Sequence, residues 1–450
     1  MKKYLLPAVL LTACTAMSTS LSAQLPRDPV PRMIQEVSKD SLEASVRALV
    51  HFGTRHTLSN RADPERGLGA AQQWVLHRFQ DDAMHSDGRM KAELDTWQQP
   101  ADNKRINRPV TMANVMAMIK GDDDKDDRIF IVTAHLDSRR SDVMDSTGDA
   151  PGANDDGSGV AALLEMARVM SRQPFHASIL LVAVSGEEQG LFGSEHLAAA
   201  AQKSQWNVPA MLNNDMIGQS TSSETDEHDN TKVRVFSEGV PAVETQQEQR
   251  MRKLLGGGND SRSRELARYI KAVCEQYVDN LDVKLIYRPD RFLRGGDHLP
   301  FQQRGYAAVR ITDFYENFDH QHQDIRTEHG IVYGDLQQFM DFEYLRKNTC
   351  LNLAVLASLA NAPSVPQHAK IDISRLTNYT RLYWQAPAYG KAAGYYVLMR
   401  ETDAPMWQKE FYTTGTELTV PYSKDNYFFA VQAVGENGMR SLPVFPGIGN

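Results

Sequence analysis

The sequence predicts an α/β fold: a mixed, largely parallel sheet sandwiched by helices, followed by a C-terminal all-β sandwich. Three observations carry that prediction. The runs Ile129–Ala134 and Ser178–Ser185 are continuous apolar stretches of strand length, as suits strands covered on both faces. Between them Val160, Leu163, Leu164 and Ala167 form an i, i+3, i+4, i+7 stripe that marks a helix packed on a sheet. Beyond the linker Asn361-Ala362-Pro363-Ser364-Val365-Pro366 the pattern changes to short alternating strands separated by turn residues.

The elements follow in order. Lys2 and Lys3 precede an apolar run from Tyr4 to Ala13, and small residues follow up to Ala23. This is the layout of a secretory signal at 1–23. The run is too short for a membrane span, which needs roughly 20 apolar residues. The expectation is an exported protein, periplasmic or secreted, with no transmembrane span. An alternative is an outer-membrane lipoprotein, because Leu11-Thr12-Ala13-Cys14 resembles a lipoprotein cleavage box that would place a lipid anchor on Cys14.

Residues 24–362 then read as the α/β domain. Leu42, Val46, Leu49 and Val50 stand at helical spacing, and the pattern resumes over Ala70–Phe79. Val115–Ile119 is a strand, joined to the next by the charged turn Gly121–Asp127, read as a solvated hairpin loop. Gly190–Ala201 is helical, Gln219–Asn230 a polar surface loop, and Ser263–Val278 an amphipathic helix. Val283–Tyr287 and Ala307–Ile311 are further strands, and Tyr344–Leu359 closes the domain as a helix. Residues 363–450 carry the strands Leu382–Trp384, Gly394–Arg400, Glu417–Val420 and Tyr427–Val434, enough for one sandwich.

Composition excludes some functions. A formal charge of -8 with no basic stretch argues against nucleic acid as a partner. The remaining cysteines, Cys274 and Cys350, read either as a disulfide or as two buried thiols. Nothing in the sequence signals an oligomeric state.

Four short pieces carry the chemistry. They are Ala134-His135-Leu136-Asp137-Ser138, Gly152-Ala153-Asn154-Asp155-Asp156-Gly157, Ser185-Gly186-Glu187-Glu188-Gln189 and Asn213-Asn214-Asp215-Met216. All four are read as following predicted strands, where side chains face one crevice of an open α/β sheet. Imidazole and carboxylate donors without thiolate suit a hydrolytic zinc site rather than a structural one. A carboxylate can bridge two ions, and two ions about 3.5–4 Å apart can clamp a water. In the pair Glu187-Glu188, one residue can bind metal while its neighbour takes the water's proton.

These pieces resemble the co-catalytic di-zinc aminopeptidase family, the bacterial leucyl aminopeptidase and glutamate carboxypeptidase II superfamily, over Leu42–Leu359. Thr54-Arg55 and Gly295-Gly296-Asp297-His298-Leu299-Pro300-Phe301 extend the match. The resemblance implies two zinc ions per chain, with Asp155 bridging them. It implies His135 and Asp215 on one ion, and Glu188 with a late histidine on the other. Glu187 would be the general base, and Asp137 would orient His135. The family's late segment has the form Tyr/Phe-x-His-x-x-x-Asp. By that spacing to Asp324 the ligand is His320, with His322 a hydrogen-bonded neighbour.

The activity implied is removal of N-terminal residues from peptide substrates. A carboxypeptidase or dipeptidase specificity, with Arg139, Arg140 or Arg310 holding a substrate carboxylate, is the alternative; a non-catalytic binding protein on this scaffold is another. The C-terminal region resembles fibronectin type III through Trp384, Tyr396 and Tyr427–Val434.

Overall fold

The computed structural model describes residues 28–449; the signal segment and Cys14 lie outside the described residues. The chain opens with α1 (Val30–Gln35), α2 (Lys39–His51) and α3 (Leu68–Ala83), then β1 (Met90–Gln99), β2 (Val110–Ile119) and β3 (Ile129–His135). Next come α4 (Gly157–Met170), β4 (Ser178–Val184), α5 (Glu187–Gly190), α6 (Phe192–Lys203), β5 (Met211–Asn214) and β6 (Lys232–Phe236). They are followed by α7 (Gln246–Leu255), α8 (Arg262–Tyr277), β7 (Asp282–Ile286), α9 (Leu299–Gln302) and β8 (Ala308–Asp313). A small hairpin, β9 (Arg326–Glu328) and β10 (Ile331–Tyr333), precedes the long α10 (Phe342–Asn361).

Eight strands form one mixed sheet in the order β1-β2-β4-β3-β5-β8-β6-β7. Its centre, β4-β3-β5-β8, is parallel, while β1 and β2 run antiparallel at one edge. The period-two alternation of strand side chains sorts the apolar runs onto two cores. Phe130, Val132, Ala134, Ile179, Leu181 and Ala183 face α4, α10 and their neighbours. Ile131, Leu180, Val182 and Val184 face Leu197, Ala198 and Phe301 on the other side. Each fully buried Val, Leu, Ile or Phe among them stabilises the fold by about 1.5–3 kcal/mol relative to exposure.

Helix α4 is buried along nearly its whole length, so its stripe widens into an almost continuous apolar surface. Its N-terminus is fixed by Asp156, whose carboxylate accepts the Gly159 amide. No helix among the described residues is long and apolar enough to cross a membrane.

The charged stretch Gly121–Asp127 is not a hairpin loop. It joins β2 to β3, but β4 lies between them in the sheet. The turn chemistry was local, whereas the choice of partner depends on the βαβ return through α4. Cys274 and Cys350 are both free and buried.

The C-terminal region is a sandwich of β11 (Gln367–Asp372), β12 (Thr380–Gln385), β13 (Ala392–Glu401), β14 (Lys409–Thr413), β15 (Glu417–Val420), β16 (Tyr427–Gly435) and β17 (Gly447–Gly449). A sheet of order β15-β12-β11-β17 faces a sheet of order β14-β13-β16. Leu382, Trp384, Tyr395, Val397, Phe429 and Val431 fill the space between them.

Candidate metal centre

The parallel strands bring their carboxyl ends to one crevice, and the charged residues gather there. His135 is the last residue of β3, Glu187 and Glu188 lie just after β4, and Asp215 follows β5. Asp155 precedes α4, and His322 lies in the segment after β8. Two groups of donors result: His135, Asp155 and Asp215; and Asp155, Glu188 and His322, the donor atoms of each within 4.8 Å of one another.

In the first group His135 Nε2 lies 3.0 Å from Asp155 Oδ1 and 3.7 Å from Asp215 Oδ1. Its Nδ1 donates to the Asp137 carbonyl oxygen at 3.0 Å. A carbonyl only accepts, so Nδ1 carries a proton, which leaves Nε2 as the nitrogen that faces the two carboxylates and would meet a metal. Burial pulls the ring's pKa down, but Asp155 and Asp215 outweigh it and raise it well above its ordinary value. Asp215 is itself buried, yet Arg310 at 2.8 Å and His135 hold it well below the usual carboxylate range.

In the second group His322 Nε2 lies 2.9 Å from Asp155 Oδ2 and 3.0 Å from Glu188 Oε1. Arg139 reaches across both residues, donating from Nε to Glu188 Oε2 at 2.9 Å and placing Nη2 2.6 Å from His322 Nδ1. Burial alone would lower this ring's pKa, but Glu188 and Asp155 raise it to about 10.

His322 therefore replaces His320 as the late histidine of the cluster. His320 is directed elsewhere: its ring stacks on Phe339 with centroids 3.7 Å apart, and its Nδ1 accepts from the Gln219 side-chain amide. Burial lowers its pKa to about 4. The backbone at His322 is left-handed, φ 56°. That local reversal turns His322 toward the carboxylates, where spacing to Asp324 pointed to His320. Asp324 itself binds Arg140 and Ser141 rather than a histidine.

Asp137 also acts differently from expectation. Its backbone carbonyl, not its carboxylate, orients His135. The carboxylate instead accepts the amides of Gly186 at 2.7 Å, Glu187 at 3.2 Å and Glu188 at 3.1 Å, with Thr57 Oγ1 at 3.1 Å. It thus fixes the turn that presents both glutamates. Gly186 makes that turn with φ +81°, a conformation L side chains rarely adopt.

Glu187 enters neither group and remains partly exposed, with His135, Asp215 and Glu188 among the charges that act on it. Burial, with Asp215 and Glu188 adding to it, raises its pKa well above the ordinary value. A carboxyl shifted upward is a stronger base than an ordinary glutamate, as a proton acceptor from water requires.

Three residues support the cluster, of which Asp335 carried no signal of its own in the sequence. Asp335 accepts the amides of Asn154 and Asp155 at 2.9 and 2.7 Å, clamping the shared carboxylate's backbone. Buried Arg55, within the Thr54-Arg55 match, donates to the carbonyls of Leu136 at 2.7 Å and Gly152 at 2.9 Å, tying the His135 and Asp155 loops together. Arg310 bridges Asp215 and Asp290. His298 is structural, held by the Pro289 carbonyl at 2.7 Å.

The donor set fits zinc. It is all nitrogen and oxygen, without thiolate, and gathers largely buried imidazole and carboxylate donors within 4.8 Å of one another in each group. An α/β sheet with such a set at the carboxyl ends of its strands defines a metallohydrolase. Residues 114–342 match the model of peptidase family M28. A probable zinc metalloprotease of Leptosphaeria maculans is 43% identical over 431 residues, covering 96% of this chain and 99% of that protein. One from Pyrenophora teres f. teres is 43% identical over 429 residues, covering 95% and 88%. Among solved structures, the LapA aminopeptidase of Legionella pneumophila shares the fold with a TM-score of 0.52 at 18% identity, covering 74% of each chain. An aminopeptidase from Aneurinibacillus sp. strain AM-1 does so with a TM-score of 0.51 at 13% identity, covering 73% and 95%. The chain belongs to peptidase family M28 and is a zinc metallopeptidase.

Proposed function

We propose that the protein is an exported aminopeptidase that uses two zinc ions to hydrolyse the first peptide bond of its substrates. The observation that carries this reading is the pair of donor groups sharing Asp155, with Glu187 free beside them. His135, Asp155 and Asp215 would hold one ion; Asp155, Glu188 and His322 would hold the other. Zinc bound there supplies Lewis-acid polarisation of the scissile carbonyl and acidifies a water.

The chain's own residues do the rest. Glu187 accepts the attacking water's proton on its carboxylate and passes it to the departing amine. Its raised pKa supports the first of these steps. Asp137 keeps Glu187 and Glu188 in register by holding three successive amides. Arg310 and Arg139 hold Asp215 and Glu188 in place. Export rests on the pattern from Lys2 to Ala23. The sandwich is fibronectin type III-like, a reading supported by its two facing sheets and the Trp384–Tyr395 core contact.

Metal content of the purified protein, with hydrolysis of leucyl-, arginyl- and glutamyl-anilides before and after chelation, tests this. Bound zinc and anilide cleavage lost on chelation and restored by zinc support the proposal. Zinc without cleavage of any N-terminal residue would overturn the aminopeptidase reading.

A further inference from the structure

The three arginines that the sequence offers for a substrate carboxylate are all engaged. Arg310 binds Asp215 and Asp290, Arg140 binds Asp324 and Asp145, and Arg139 binds Glu188. A different guanidinium lies beside the Glu188 backbone without a carboxylate. Arg105 donates from Nη1 to the Glu188 carbonyl oxygen at 2.6 Å, and its side chain is otherwise exposed. Among the described residues it pairs with no acidic side chain, and neither does Arg108, which donates to the Leu58 carbonyl at 2.6 Å and to Asn107 Oδ1 at 3.2 Å. Arg105 therefore sits against the backbone of a proposed ligand, with most of its five N–H donors unused.

The loop that carries it is built to hold still. Asp102 Oδ1 accepts the amides of Lys104, Arg105 and Ile106 at 2.8, 2.9 and 2.8 Å. Ile106, between the two arginines, is fully buried against Leu58 and Met112. A guanidinium presented on a fixed loop recognises a carboxylate with little ordering cost, and its planar fork matches that anion.

We propose that Arg105, assisted by Arg108, is the specificity residue of this peptidase, binding a substrate carboxylate within one residue of the scissile bond. The inference rests on the peptidase reading above. It makes the preferred substrates short peptides with a free α-carboxylate, or peptides with Asp or Glu flanking the bond that is cut.

Three matched pairs separate the sources of that carboxylate: Leu-Gly against Leu-Gly-amide, Leu-Glu-amide against Leu-Gln-amide, and glutamyl- against glutaminyl-anilide. The zinc-loaded wild type should favour the charged member of at least one pair. In Arg105→Gln the charged-to-neutral ratio of kcat/KM in that pair should fall about tenfold, as for loss of one charge-assisted hydrogen bond. The fall should lie in KM at unchanged zinc content, and Arg105→Lys should recover part of it. Ratios equal in wild type and Arg105→Gln for all three pairs overturn the proposal. Calorimetric binding of glutamate against glutamine to the zinc-loaded proteins reads the same subsite without turnover. Glutamate preferred by wild type but not by Arg105→Gln supports the subsite even if none of the six peptides is cleaved, which would fault only the aminopeptidase reading. Equal affinities in the two proteins overturn the subsite itself.

Discussion

The His135–Asp155–Asp215 group and the Asp155–Glu188–His322 group share one carboxylate but are held in different ways. The first is sealed: His135 is 1% exposed, Asp215 is braced by Arg310, and the Asp137 carbonyl holds Nδ1–H so that Nε2 faces the carboxylates. The second stands at the rim: His322 is 27% exposed, its backbone is left-handed, and Arg139 lies against Glu188 and Nδ1. In both groups the carboxylates raise the ring's pKa, so a cation entering either one must displace a proton from Nε2. Metal binding that releases a proton weakens as pH falls. Two halves built from the same donor types thus differ in burial and bracing: one is closed in the crevice, the other stands on a loop that a single arginine holds.

The largest expected effect removes what the halves share. Asp155→Asn should lower zinc content to near zero and activity to background; an unchanged zinc content would break the two-group description. Glu187→Gln should instead separate chemistry from binding. The expected loss in kcat is about 10²–10⁴-fold, the usual contribution of a general base, with zinc retained. Equal loss of zinc would place Glu187 among the ligands.

The two late histidines sharpen the contrast. His322→Ala should empty the rim group alone, leaving the sealed group's zinc, whereas His320→Ala should leave metal content as in wild type. The reverse pattern would restore His320 as the ligand. Asp137→Asn, which loosens the glutamate turn, should lower activity or metal affinity about 10–100-fold, the usual effect of an outer-shell partner.

The smallest effect concerns His320 and stability. Its ring has an ordinary pKa of 6.5 when unfolded and about 4 in the fold, because burial disfavours its charged form. Between those values the unfolded chain binds the extra proton, so stability should fall as pH drops from about 6.5 to 4. The loss should be of the order of 1–3 kcal/mol. Thermal unfolding of wild type and His320→Phe across that window measures it, and parallel curves would show that the ring is not buried neutral.

Much of this arrangement was legible before any tertiary contact was known. The central strands read clearly because both faces are covered, which leaves unbroken apolar runs. Edge strand β1 was not legible: past buried Met90, Met90–Gln99 runs through half-buried and exposed positions and carries many polar residues. Helix α7 escaped for a similar reason, having no buried residue to mark its face. Gln219–Asn230, read as a surface loop, folds its first residues inward, where Gln219 meets His320.

His135, Asp155, Glu187, Glu188 and Asp215 could be singled out as candidates from the sequence because each lies at or beside a strand end or helix start, where local pattern determines which way a side chain leaves the sheet. Arg139, Arg310, Asp335 and Arg105 acquire their roles at the cluster from Glu188, His322, Asp215 and Asn154, between 49 and 183 residues away along the chain, which no local pattern encodes. The choice of His322 over His320 belongs to the same class. Spacing to Asp324 favoured one histidine, but stacking on Phe339, the Gln219 amide and the left-handed turn at 322 selected the other. Sequence alone determined the donor types and the strand ends that present them, because burial and chain direction are local properties. Tertiary structure decided which ring completes the cluster, because that depends on contacts the loop makes only after the sheet has assembled.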